Sequence, residues 1–280
     1  MTLSNKPEIQ VALCSVTATP DKKLNIDNAT KFIHESIHRG AEWIFLPEMF
    51  SYHGPYDRLI ENAEGEDGPL NELLRSIAQK HKVVIFAGSA PEKTVHSKKV
   101  YNTQYVFDRV GDLVAKYRKL HLFNLISSEG QKLYCESDGY ESGNDYSVFD
   151  LEGWRVGLAT CYDLRFPEMF RRMASKTPID LFAIPSAFTL QTGTYHWHLL
   201  NRARAVENLC YVIAANQVGV HQPGKASFGH AVVIDPWGNI VADTGNRTGV
   251  ITAQISKEQI VHWRAQLPAL SNCRTDLFQN

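Results

Sequence analysis

A cysteine and a glutamate each stand at the end of an apolar run in this chain and a lysine where a strand runs into a loop, and together they could carry out acyl transfer. Cys161 follows VGLAT directly and precedes a helix whose start is marked by Pro167, a favoured first-turn residue. A strand-end thiol beside a helix N-terminus is placed for a lowered pKa and for backbone N–H donors. Cys14 and Cys210, inside apolar strands, read instead as buried structural cysteines, and Cys135 and Cys273 show no comparable setting. A thiol nucleophile requires a base. Glu48 follows WIFLP, where a carboxylate has no evident structural duty and can accept a proton. Lys119, in AKYRKLHLF, lies where a strand runs into a loop; near the thiol it would stabilise both a thiolate and a tetrahedral oxyanion. Singly, each of the three could be a surface residue. The reading rests on their occurring together.

Two other patterns compete with this one. His34-Glu35-Ser36-Ile37-His38 fits the H-E-x-x-H zinc-protease pattern on an expected helix, with two histidines at i and i+4. The apolar face of that helix is marked by Ala29, Ile33, Ser36, Ile37 and Gly40, which turns His34 and His38 towards solvent. A zinc hydrolase built on His34 and His38 is the alternative from another class. The stretch GVHQPGKA, Gly219 to Ala226, nearly forms a phosphate-binding loop, but Ala226 occupies the place of the metal-binding Ser or Thr. Its flanks read strand to strand, so it is expected to be a loop between strands.

The elements that must position these residues alternate between short β-branched runs and helical periodicity. Strands are expected at 10–16, 42–46, 82–89, 154–160 and 179–186, with helices over 22–39, about 69–80, from Pro167, and about 194–208. VYNTQYVFD and DLVAKYRK read as a hairpin around Arg109-Val110-Gly111, and CYVIAANQVG, FGHAVVID, NIVADT and VITAQI complete the strands. The segment 120–145 is the longest irregular piece, a length that in compact domains points to function or disorder. Buried parallel-type runs with hairpin signals imply an α/β layered single domain over 1–280.

Net charge is −1 without a basic block, which argues against nucleic acid and anionic membrane as partners. No apolar stretch reaches bilayer length, and the N-terminus lacks the pattern of a secretory signal. Five cysteines without framework spacing suggest free thiols in a reducing compartment, so the cytoplasm is the expected location.

The segments LPEMF, YRKLHLF and CYDLRFPE resemble the Glu, Lys and Cys signatures of the carbon–nitrogen hydrolase (nitrilase) superfamily, in that family's order, and the resemblance runs over nearly the whole chain. It implies an α-β-β-α sandwich with Glu48 as general base, Lys119 as oxyanion stabiliser and Cys161 as nucleophile, and with the backbone N–H of Tyr162 completing the oxyanion site. The family's additional active-site glutamate matches Glu136, although that loop has Ser142-Gly143 where the family carries Pro-Gly. PSAFTLQTGTYHWHLLNRARAVENLCYVIAANQVG and GKASFGHAVVIDPWGN are similar to the Nit branch, above all to deaminated-glutathione amidases, with omega-amidases as near neighbours. Both cleave a small amide carrying a 2-oxo acid end, the omega-amidases acting on 2-oxoglutaramate or 2-oxosuccinamate. Arg165, Phe188 and Thr192 then line the substrate site; an arginine fork suits a carboxylate, though Arg165 could equally pair with Asp163 or Glu168. His198 stands where many relatives have glutamate, leaving its role open, and Arg202, Arg204 and Asn208 read as helix and interface residues. No metal or organic cofactor is implied. Subunits of the family pair as homodimers or larger homo-oligomers, and the stretch from about 263 resembles the arm that supports pairing.

Overall fold

In the strand Glu8–Ser15, successive side chains go to opposite sides. Val11 and Leu13 pack into a core shared with a second sheet, whereas Ala12 and Cys14 pack among helices. Trp43 and Phe45 against Ile44 and Leu46 repeat the division one strand over. Both faces are covered, which is why these strands read as continuous apolar runs.

The computed structural model describes residues 6–277; the first five residues and the end of the C-terminal stretch lie outside it. One sheet has the strand order Gly249–Ser256, Glu8–Ser15, Trp43–Phe45, Val84–Phe86, Val100–Phe107, Ala90–Lys93, with Leu113–Arg118 and Tyr140–Glu141 also pairing with Val100–Phe107. The other runs Ser147–Leu151, Trp154–Leu158, Leu181–Ala183, Tyr211–Ala214, Val232–Ile234, Ile240–Asp243. Parallel pairs form the middle of each sheet. Their crossovers are helical: Lys22–His38 and Pro69–His81 lie over the first sheet, Pro167–Ala174 and Leu190–Asn208 over the second. The layers are α-β-β-α. In such parallel arrangements, ligand sites form beyond the carboxyl ends of the strands, and here both sheets send loops to one such end.

The ladders are shorter than the apolar runs. Leu46, Ala159 and Ile184 stay buried and each donates one last backbone hydrogen bond to the neighbouring strand, but the strands themselves end at Phe45, Leu158 and Ala183, because the chain must leave the sheet to build a site. The helix expected from about 194 starts at Leu190, since Thr189 caps it by accepting from the Thr192 amide. The segment 120–145 is less irregular than its composition suggests. It holds an antiparallel hairpin, Asn124–Ile126 with Lys132–Cys135, and a 3-10 turn at Glu136–Asp138. The 219–226 stretch is likewise part of a hairpin, Val218–Gln222 with Lys225–Phe228, and only Pro223-Gly224 forms its turn. A further helix, Lys257–Gln266, precedes a mostly exposed tail and carries Trp263, which stacks on Trp237 at 4.3 Å. Among the described residues, no helix is long and apolar enough to cross a membrane. All five cysteines are free.

Candidate active site

Glu48 sits one residue past the proline that closes the strand Trp43–Phe45. The turn is tight enough that Met49 takes φ +54°, a left-handed conformation uncommon outside glycine. Beside it Gly88 has φ +52°, and a Cβ there would come 2.1 Å from the Pro47 carbonyl oxygen, so only glycine fits. This delivers the Glu48 carboxylate inwards, where it is 2 % exposed. Its Oε1 accepts from Lys119 Nζ at 3.0 Å and from Asn102 Nδ2 at 2.8 Å, and its Oε2 accepts from the Ala187 amide at 2.7 Å.

Lys119 follows the strand Leu113–Arg118 and is as deeply buried as Glu48. Its ammonium also donates to both oxygens of Glu136, at 3.0 and 2.8 Å. Burial pulls the ammonium's pKa down, but Glu136 and Glu48 outweigh it and hold Lys119 well above its usual range. Glu136, placed by the 3-10 turn, additionally accepts from the Phe123 amide at 2.7 Å. Burial and the neighbouring Glu48 push its carboxyl upward against the pull of Lys119.

Cys161 opens a 3-10 turn over Cys161–Arg165 directly after the second sheet's strand Trp154–Leu158. Its own φ is +49°, and its N–H is anchored to the Pro185 carbonyl at 3.0 Å. Strained backbone of this kind concentrates at functional sites. Cys161 keeps part of its surface open to the pocket. Protein atoms nevertheless enclose the thiol, and burial together with the Glu48 carboxylate raises its pKa well above the ordinary thiol value, with Lys119 opposing. The expectation of a lowered thiol pKa is therefore reversed: the one helix terminus nearby does not offset desolvation and a facing carboxylate. Tyr162 is the second residue of the turn, where an N–H has no acceptor within the helix.

A pocket of about 480 Å³, counting its open mouth, brings Cys161, Glu48, Lys119 and Glu136 together with Tyr162, Arg165, Phe188 and Thr192. All eight residues singled out in the sequence thus meet in one place. Arg165 pairs with neither Asp163 nor Glu168; its Nη1 meets His196 Nδ1 at 3.3 Å and its guanidinium lies over the Phe188 ring. Asp163 is instead fully buried and ties the nucleophile turn to the lysine loop, accepting from Tyr117 Oη at 2.6 Å, from the Thr160 amide and from the His121 amide. Arg204 donates to the Leu164 carbonyl and fixes the turn from the other side. His34 and His38 are exposed on the first long helix and do not line the pocket. His198 lies elsewhere too, 3.0 Å from Asp243.

Sequence reasoning placed the strand Val100–Phe107 in a hairpin but missed the polar residues by which it joins the two halves. Asn102, Thr103 and Gln104 are three successive buried polar residues in Val100–Phe107. Asn102 Nδ2 reaches both Glu48 and Glu136, and Gln104 Nε2 donates to the Ala159 carbonyl at 2.6 Å and to Thr160 Oγ1 at 2.9 Å, just before Cys161. The signal was available: a polar triplet inside a strand with no solvent face requires partners.

This geometry can move a proton between a thiol and a carboxylate while a fixed cation stands beside both, as acyl transfer to sulfur needs. Comparison with known proteins agrees with that chemistry. The carbon–nitrogen hydrolase family profile matches residues 10–265, and the chain belongs to that family. It is a hydrolase acting on carbon–nitrogen bonds other than peptide bonds, and an amidase. The deaminated glutathione amidase of Synechocystis is 36% identical over 270 residues, covering 95% of this chain and 98% of that one. Omega-amidase NIT2-A of Xenopus laevis is 35% identical over 273 residues, covering 97% of each. The crystal structure of Saccharomyces cerevisiae Nit3, a member of the nitrilase superfamily, superposes with a TM-score of 0.84 at 32% identity, covering 94% of this chain and 95% of that one.

Proposed function

We propose that the protein is a cysteine amidase that cleaves a small amide bearing a 2-oxo acid end, with deaminated glutathione as the substrate and a thioester as the intermediate. The observation that carries this reading is the enclosure of one thiol, two carboxylates and one ammonium in a single pocket. Because the Cys161 thiol is held above its usual range, it is neutral at rest and must lose its proton as it attacks. Glu48 accepts that proton. The sulfur adds to the amide carbonyl, and the oxyanion is met by Lys119 and by the Tyr162 N–H. Glu48 then returns the proton to the amide nitrogen, the C–N bond breaks, and the amine leaves a thioester on Cys161. Water replaces the amine, Glu48 takes its proton, hydroxide adds to the thioester, and the carboxylic acid departs as sulfur is reprotonated. Glu136 keeps Lys119 charged and aimed. Arg165, without a carboxylate partner among the described residues and backed by Phe188, receives the substrate carboxylate with Thr192.

The second reading, omega-amidase action on 2-oxoglutaramate, is supported by relatives of that name matching almost as well. It uses the same residues and differs only in the leaving group, ammonia in place of cysteinylglycine. The cytoplasm is the proposed location. A homodimer is proposed on the exposed apolar residues Tyr195 and Leu199 of the helix Leu190–Asn208, with the tail after Trp263 as its arm.

The test is release of cysteinylglycine from deaminated glutathione and of ammonia from 2-oxoglutaramate by purified protein, with mass spectrometry for an acyl adduct. Cys161→Ala should abolish turnover and adduct, with the thermal transition kept. Turnover surviving in Cys161→Ala would sink the mechanism.

A further inference from the structure

The near-miss loop contains a lysine that the reaction above leaves unused. Lys225 opens the strand Lys225–Phe228 of the second hairpin. That hairpin is seated on the pocket wall, since the Phe228 amide donates to the Phe188 carbonyl at 2.9 Å and Ser227 bridges to Thr189. Lys225 Nζ stands 5.0 Å from the centre of the Tyr134 ring and 5.5 Å from that of Tyr56, and both tyrosines line the pocket of Cys161. Its ammonium is half-buried, and burial pulls its pKa down with no carboxylate raising it. Lys116 and Lys119, by contrast, each meet two carboxylates, and those pairs offset the cost of taking the charge out of water. Two aromatic faces offer a cation partial compensation only.

The position relative to Arg165 carries the argument. Arg165 lies on the rings of Phe188 and Tyr162, and Lys225 on those of Tyr134 and Tyr56. Phe123 stands between the two groups, 5.0 Å from Tyr162 and 5.1 Å from Tyr134, ring centre to ring centre. Arg165 lines the pocket itself, whereas Lys225 stands just outside that lining against Tyr134 and Tyr56, so the two cations flank a shared aromatic wall that faces the thiol.

We infer that Lys225 binds a carboxylate on the leaving-group side of the scissile amide, so that the site prefers amides with an anion at both ends over amides that release ammonia. This rests on the proposed amidase reading and deepens it. Deaminated glutathione carries such a second carboxylate, on its glycine; 2-oxoglutaramate does not.

The experiment compares kcat/KM for three substrates: deaminated glutathione, its glycinamide analogue lacking the distal charge, and 2-oxoglutaramate. In the wild type the acid should exceed the glycinamide analogue at least ten-fold. In Lys225→Met that preference should collapse, with the loss in KM for the acid, and Lys225→Arg should restore most of it. A purely structural lysine would instead lower all three substrates in proportion, and an unchanged acid-to-amide ratio in Lys225→Met overturns the assignment while leaving the Cys161 chemistry intact. If the wild type hydrolyses none of the three, both the assignment and the amidase reading fall.

Discussion

The letters Pro-Glu-Met-Phe occur twice, at 47–50 and at 167–170, and the two copies are folded into opposite uses. In the first, the proline ends a strand, the backbone turns through a left-handed Met49, and Glu48 is driven into the interior against Lys119, Asn102 and the Ala187 amide. In the second, Pro167 starts the helix Pro167–Ala174, Met169 and Phe170 pack inward, and Glu168 is left exposed in the first turn. A negative charge there suits the helix dipole and touches nothing in the pocket. What separates the copies is the element that precedes them. A buried strand running out into a site makes its next carboxylate reactive, whereas a 3-10 turn feeding a helix leaves the same carboxylate a solvated charge in the first turn.

The same substitution at both copies tests the contrast. Glu48→Gln should lower kcat by about 10²- to 10⁴-fold, the range for removing a positioned base. It should also separate charge from proton transfer. Glu48 raises the Cys161 pKa, so its removal should move the midpoint of iodoacetamide alkylation against pH downward. A thiol that becomes easier to alkylate while turnover collapses identifies Glu48 as the proton acceptor. If the midpoint rises or stays, the carboxylate is not facing the sulfur. Asp163→Ala, between the two copies, should act first on stability, at about 3 kcal/mol in urea unfolding, because several buried donors lose their acceptor. Glu168→Gln should change stability by less than about 1 kcal/mol and leave turnover near wild type. An activity loss there matching that of Glu48→Gln would erase the distinction.

The site was legible where chemistry coincides with the end of an apolar run, as at Glu48 and Cys161, or with the end of an expected strand, as at Lys119. Glu136 was reached only through resemblance, because its turn follows a hairpin whose strands are exposed or half-exposed and show no burial pattern. Asn102 and Gln104 were passed over since a polar letter in a strand ordinarily signals a solvent face, and this strand has none. Asp163 was read as a possible partner for Arg165, two residues along, yet it is satisfied by Tyr117 from a distant strand and His121 from the loop after it. Long-range closure of that kind leaves no periodic trace. The layers themselves were legible from run length and from hairpin signals, but the ladder ends were not, because a chain leaving a sheet to form a site keeps its hydrophobic residues buried.

The polar triplet in Val100–Phe107 makes catalysis sensitive to how that strand is threaded. Asn102 addresses the carboxylates and Gln104, two residues on, addresses the peptide before Cys161, so both must point to the same face. A slip by a single residue would turn both away and bring Thr103 in. Such a molecule could keep its helices, its sheets and much of its core, and still be inert. Recovered activity after refolding is accordingly a proofreading signal for this protein, reporting correct alignment of one strand where spectroscopic measures of secondary structure would report only its presence.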